Sequence, residues 1–89
     1  MNRVEWSARA LAELAEYWTN GDSNRRAALT QAAGQIDALL TADAIHEGES
    51  RGNGRRIVFV APLAVTFFVN ERLKIVTVLW LRLLNSLDS

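Results

Sequence analysis

The amino-acid sequence predicts a small α+β domain with the element order β-α-α-β-β-β: a helical hairpin packed on one face of a small, mostly antiparallel sheet. Three observations predict it. From Ile57 onward, residues 48–82 are dominated by Ile, Val, Phe, Thr and Trp, which fit a pleated, half-buried surface. Two apolar stripes of helical spacing precede that stretch, with Asn20-Gly21 between them. The chain opens on Arg3-Val4-Glu5-Trp6, whose polar and apolar residues alternate as in a short strand.

Each element has its own signal. Ser7 stands where a helix N-cap belongs, its hydroxyl available to the unpaired N–H groups of the first turn. Leu11, Leu14, Ala15 and Trp18 follow at helical spacing and predict a helix of about three turns with that stripe inward. Asn20-Gly21 ends it, with the glycine expected in the left-handed conformation common past a helix C-terminus. Asp22 or Ser23 caps a second helix, whose stripe is Ala28, Leu29, Ala32, Ala33, Ile36, Leu39 and Leu40. Small residues from Ala27 to Gly34 predict close approach of the two helices, offsetting the cost of about 1 kcal/mol of a mid-helix glycine. Residues 41–47 read as a connection. Pro62 cannot donate to a central ladder, so the chain bends at Ala61-Pro62 and returns as Leu63 to Val69. Asn70-Glu71-Arg72 is short enough for a hairpin loop, and Leu73 to Leu83 is the last strand. The opening strand joins this sheet at an edge, beside the last or an inner strand.

Composition bounds the function. At 89 residues the chain reads as one domain, residues 1–89, and its 49% hydrophobic content leaves apolar surface for a partner. With no cysteine, neither a disulfide framework nor a thiolate metal site exists. Lys plus Arg equals Asp plus Glu, so the whole chain has no electrostatic attraction to nucleic acid or an anionic membrane. The charge is unevenly spread, however. Residues 1–47 carry four arginines against seven carboxylates, whereas residues 48–82 carry six positive side chains against two negative ones. The start of the chain has no apolar leader, and the longest apolar run is broken by Pro62 and Thr66. A soluble cytoplasmic protein without a membrane span is therefore expected.

The residues also resemble a family. Val4-Glu5-Trp6-Ser7 leads into an Ala/Leu/Glu helix, and a second helix ends Ile36-Asp37-Ala38-Leu39-Leu40 ahead of Asp43. Gly48-Glu49-Ser50-Arg51, then Arg55-Arg56 before a strand, Pro62-Leu63-Ala64-Val65, and Val76-Thr77-Val78-Leu79-Trp80 ending at Arg82 complete the pattern. This arrangement, from Val4 to Arg82, resembles the RelE/ParE superfamily, the toxins of bacterial type II toxin–antitoxin (plasmid stabilisation-like) modules. The resemblance implies a growth-inhibiting toxin held inactive by a cognate antitoxin. It also implies one of two mechanisms: ParE-like members inhibit DNA gyrase by binding, and RelE-like members are ribosome-dependent mRNA endonucleases.

Cutting RNA requires a proton acceptor, a proton donor and positive charge for the phosphate. Arginine supplies only the last, so Arg51, Arg55, Arg56 and Arg82 are candidates for phosphate or acidic-partner binding. Lys74 could carry a proton if desolvated, and its even spacing from Arg82 places both on one face of a continuous strand. RelE-like nucleases often add a Tyr or His after the last strand, and residues 83–89 contain neither, which favours inhibition by binding. Taken singly, each arginine is most simply a solvated residue in an ordinary ion pair with Glu47, Glu49 or Glu71. His46, alone in a connection, reads as a surface residue, and no metal site or cofactor is assigned.

Trp6, Trp18 and Trp80 are most simply core. Phe67 and Phe68 point to opposite faces of their strand. If the helices cover one face only, some of Phe68, Val76, Val78 and Trp80 form an apolar partner surface. Leu84 and Leu87 cover a little of it, and an antitoxin segment or a second copy of the chain covers the rest. A non-toxic homo-oligomeric binding module that kept the fold is the third reading.

Overall fold

A computed structural model describes residues 1–84. Its elements are β1 (Arg3–Trp6), α1 (Ala8–Thr19), α2 (Ser23–Asp43), β2 (Glu49–Ser50), β3 (Arg55–Val60), β4 (Leu63–Asn70) and β5 (Ile75–Leu83). They form one five-stranded sheet of order β1-β5-β4-β3-β2, with β1 parallel to β5 and every other pair antiparallel. Two differences from the expected order are small. An extra two-residue strand, β2, precedes β3, and α2 continues through Thr41 to Asp43, so the connection is shorter than expected. The opening strand takes the edge beside the last one. There Arg3 donates its N–H to the Lys74 carbonyl and Ser7 to that of Val78.

Both helix caps follow from the sequence. Ser7 Oγ accepts from Ala10 N–H at 3.0 Å, and the Asp22 carboxylate from Arg25 N–H at 2.8 Å. The stripe of α2 is as expected, with Leu29, Ala32, Ile36 and Leu40 buried, and Ala44 continues it past the helix end. That of α1 is rotated. Ala10 is buried and Leu14 and Tyr17 pack against the core, while Leu11 and Trp18 are exposed, so Trp18 is not core. The reason lies in what α1 faces, since its inner side lies along β5 and carries polar groups that the strand needs. A Cβ at Gly34 would meet nothing within 4 Å, so this glycine does not serve close helix approach. Gly21 is not among the positive-φ residues either. Asn20, in right-handed geometry, ends α1 by donating to the Glu16 carbonyl.

β4 supplies the centre of the sheet. Leu63, Val65 and Phe67 are fully buried on its helix side, beside Val58 of β3 and Val76, Val78 and Leu81 of β5. The ladder between β4 and β5 contains one irregularity. Thr66 is opposite Trp80 and Phe67 opposite Val78, which leaves Leu79 without a partner. That bulge reverses the alternation along β5. Val76 and Val78 face the helices, and after Leu79 so do Leu81 and Leu83, while Trp80 and Arg82 turn to the other side.

Candidate partner face of the sheet

The side of the sheet away from the helices is built from cross-strand rows. Trp80, Thr66 and Ile57 form one; Arg82, Ala64 and Phe59 form the next; Thr77, Phe68 and Arg55 form the third. In the first two rows a small residue of β4 lies between larger ones, whereas in the third β4 contributes Phe68. Ala64 and Thr66 are therefore nearly buried, whereas Phe68 is 37% and Phe59 55% exposed. The Phe68 ring lies against Gly54, where any Cβ would meet its Cε1 at 2.6 Å. Trp80 is flanked by two guanidiniums, Arg9 at 4.9 Å and Arg55 at 5.3 Å from the ring centroid. Such contacts favour the cation over the aromatic face and hold the arginines beside the ring.

The bulge determines which expected residues meet here. Phe68 and Trp80 are on this face. Val76 and Val78, expected with them, are not, because both are fully buried against the helices. The basic residues also divide. Arg55 and Arg82 are on the open face, whereas Arg56 is opposite core residue Phe67 and is held on the other side. Its Nε donates to the Glu47 carbonyl at 2.8 Å and its Nη2 to that of Gly48 at 2.9 Å, tying down the loop between α2 and β2. Arg51 pairs with Glu49 at 3.3 Å. Lys74 is not on the strand at all. It occupies the turn before β5 with φ 57°, and the bulge removes the parity that would have aligned it with Arg82. Seven residue steps lead from Ile75 to Arg82 along β5, roughly 20 Å of strand, so the two ends of the sheet carry separate positive charges.

Arg9 and Phe59 belong to this face and were not anticipated. Arg9 is on α1, and its sequence signal is only the (i, i+4) partner Glu13, 3.1 Å away. Its position over Trp80 depends on the bulge and on how α1 meets β5. Phe59 could have been found by parity, since it shares a strand face with Arg55. His46 is exposed and 2.8 Å from the Asp43 carboxylate. Among the described residues, no three of His, Cys, Asp and Glu form a group that could hold a metal ion. No helix there is long and apolar enough to cross a membrane. Leu84 is partly buried and donates to the Pro62 carbonyl at 2.7 Å, while Leu87 lies outside the described residues.

No family model matches the chain, and none of the curated proteins does. Solved structures do. The chromosomal ParDE toxin–antitoxin system of P. aeruginosa superposes with a TM-score of 0.77 at 19% identity, over 96% of this chain and 98% of that one. The fold is RelE/ParE-like. The RelBE2 toxin–antitoxin complex of Mycobacterium tuberculosis gives 0.72 at 13% identity, over 92% and 90% of the two chains. The isolated E. coli RelE toxin gives 0.66 at 17%, over 96% and 86%. Identities this low carry the RelE/ParE-like architecture and nothing finer, because one fold hosts many sites.

Proposed function

We propose that this protein is the toxin of a type II toxin–antitoxin module, and that it inhibits growth by binding a cellular protein such as DNA gyrase. The observation that carries the reading is the open sheet face. Phe59 and Phe68 stand on it exposed and Trp80 partly buried beside them, flanked by Arg9, Arg55 and Arg82. Exposed aromatic rings rimmed by guanidiniums make the composition of a protein-binding hot spot. A cognate antitoxin segment that covers this face accounts for how a cell tolerates the chain. Binding is favoured over RNA cleavage because the basic residues do not converge: Arg56 is engaged by two carbonyls behind the sheet and Lys74 stands in a turn. Arginines remaining on the open face can neutralise an anion but cannot deprotonate to act as base.

The test is expression of the chain alone in growing cells, followed by two assays on purified protein. Growth arrest, with loss of supercoiling activity by gyrase and intact transcripts on translating ribosomes, is the expected outcome. Site-specific transcript cuts would replace the binding reading with an mRNA endonuclease. Normal growth would favour a non-toxic homo-oligomeric binding module. In the first case, Trp80→Ala and Arg82→Ala should each weaken target inhibition by about tenfold or more, as central aromatic and arginine contacts do.

A further inference from the structure

The chain contains two Asn-Gly dipeptides, Asn20-Gly21 and Asn53-Gly54, and the fold treats them oppositely. We propose that Asn53 is a site of spontaneous covalent modification, in which the Gly54 backbone nitrogen closes on the Asn53 side chain and leaves a carboxylate there. The Gly54 N–Cγ bond forms and the Cγ–Nδ2 bond breaks. The departing amide nitrogen takes the Gly54 proton and leaves as ammonia. Water then opens the five-membered imide, at Cγ to give an aspartyl residue or at the main-chain carbonyl carbon to give its isomer. No electrons are transferred, and water is the only co-reactant.

Three features of the β2–β3 turn, residues 51–54, favour the reaction. Glycine has no side chain to hinder attack, and it cannot be replaced here, because φ is 78° and any Cβ would strike the Phe68 ring. Asn53 is exposed and holds φ 55°, so the turn is open to water on the reacting side. Around it, the Arg51 N–H donates to the Arg55 carbonyl and the Arg55 N–H to the Gly52 carbonyl, whereas the Gly54 N–H has no backbone partner in the turn.

At the other dipeptide, the Gly21 N–H donates to the Trp18 carbonyl at 3.2 Å and the Asn20 N–H to that of Glu16 at 3.0 Å. Reaction there requires the end of α1 to open first, which slows it about tenfold or more. Asn20 is thus an internal control in the same molecule.

The product matters for the face described above. A carboxylate appears between Arg51 and Arg55, taking one unit of positive charge from that end of the sheet, and the isomer lengthens the backbone of a turn that packs on Phe68. The experiment incubates the full chain at mildly alkaline pH and follows both peptides by mass spectrometry. Asn53 should convert about tenfold faster than Asn20, at a rate that rises with pH, and Asn53→Gln should abolish the fast phase without altering the fold. Conversion of Asn20 at the same rate or faster overturns the proposal. So does a fast phase that survives in Asn53→Gln.

Discussion

Leu79 decides more about this molecule than any charged residue, although it binds nothing. As the extra residue of β5 it separates Val78, which is fully buried, from Trp80, which stands among guanidiniums on the opposite side. Single glycines have similarly local and opposite consequences. Gly34 is in mid-helix with open space around it, so Gly34→Ala should stabilise the protein by about 0.5–1 kcal/mol. Gly48 holds φ 67°, and any Cβ there would collide with the Ile57 carbonyl. Gly48→Ala should therefore cost about 2 kcal/mol or more. Urea unfolding of the two variants checks both signs, and stabilisation by Gly48→Ala would contradict the turn geometry.

Among the elements, α1 has an unusual task. β1 pairs with β5 only as far as Val78, and beyond that point the edge of β5 has no neighbouring strand among the described residues. Side chains of α1 and its cap take the place of one. The Ser7 hydroxyl donates to the Leu79 carbonyl at 2.7 Å, the Glu13 carboxylate accepts from Leu81 N–H at 2.7 Å, and the Tyr17 hydroxyl donates to the Leu81 carbonyl at 3.2 Å. A buried edge left unpaired would be costly, which is why the inner side of this helix is partly polar and its Leu11 and Trp18 stay outside. The end of α1 is held from α2. Arg26 donates to the Trp18 and Thr19 carbonyls, with its guanidinium 4.4 Å from the Trp18 ring centroid. Arg26→Ala should lower stability by about 1 kcal/mol and speed amide exchange at the last turn of α1, while Arg26→Lys recovers only part of it. Unchanged exchange in that turn would show that the clamp contributes nothing.

For the whole molecule, the sheet divides two kinds of apolar residue that look alike in composition. Val78 belongs to the core with Phe67 and Ile36, whereas Trp80 belongs to the open face with Phe68. Val78→Ala should cost about 2 kcal/mol of stability and leave partner affinity within about twofold. Trp80→Ala should do the reverse, losing about tenfold or more in affinity at a smaller cost to folding. Denaturant unfolding paired with titration of the partner proposed above separates the two, and similar behaviour of both variants would undo the division of faces.

Much of this architecture was legible in the sequence, because it rests on interactions between near neighbours. Ser7 and Asp22 cap their helices, α2 buries its 3.6-residue stripe, Pro62 marks the reversal between β3 and β4, and the α+β order follows from the two periodicities. The site was legible only in part: Phe68, Trp80, Arg55 and Arg82 reach the open face, whereas Val76, Val78, Arg56 and Lys74 do not. What the sequence by itself determined was which residues are apolar and how the elements follow one another. The tertiary structure alone decided which side of the sheet each apolar residue faces, because alternation holds only while every residue has a partner. One unpaired leucine, placed by how β4 and β5 meet across the sheet, reverses it for the rest of the strand.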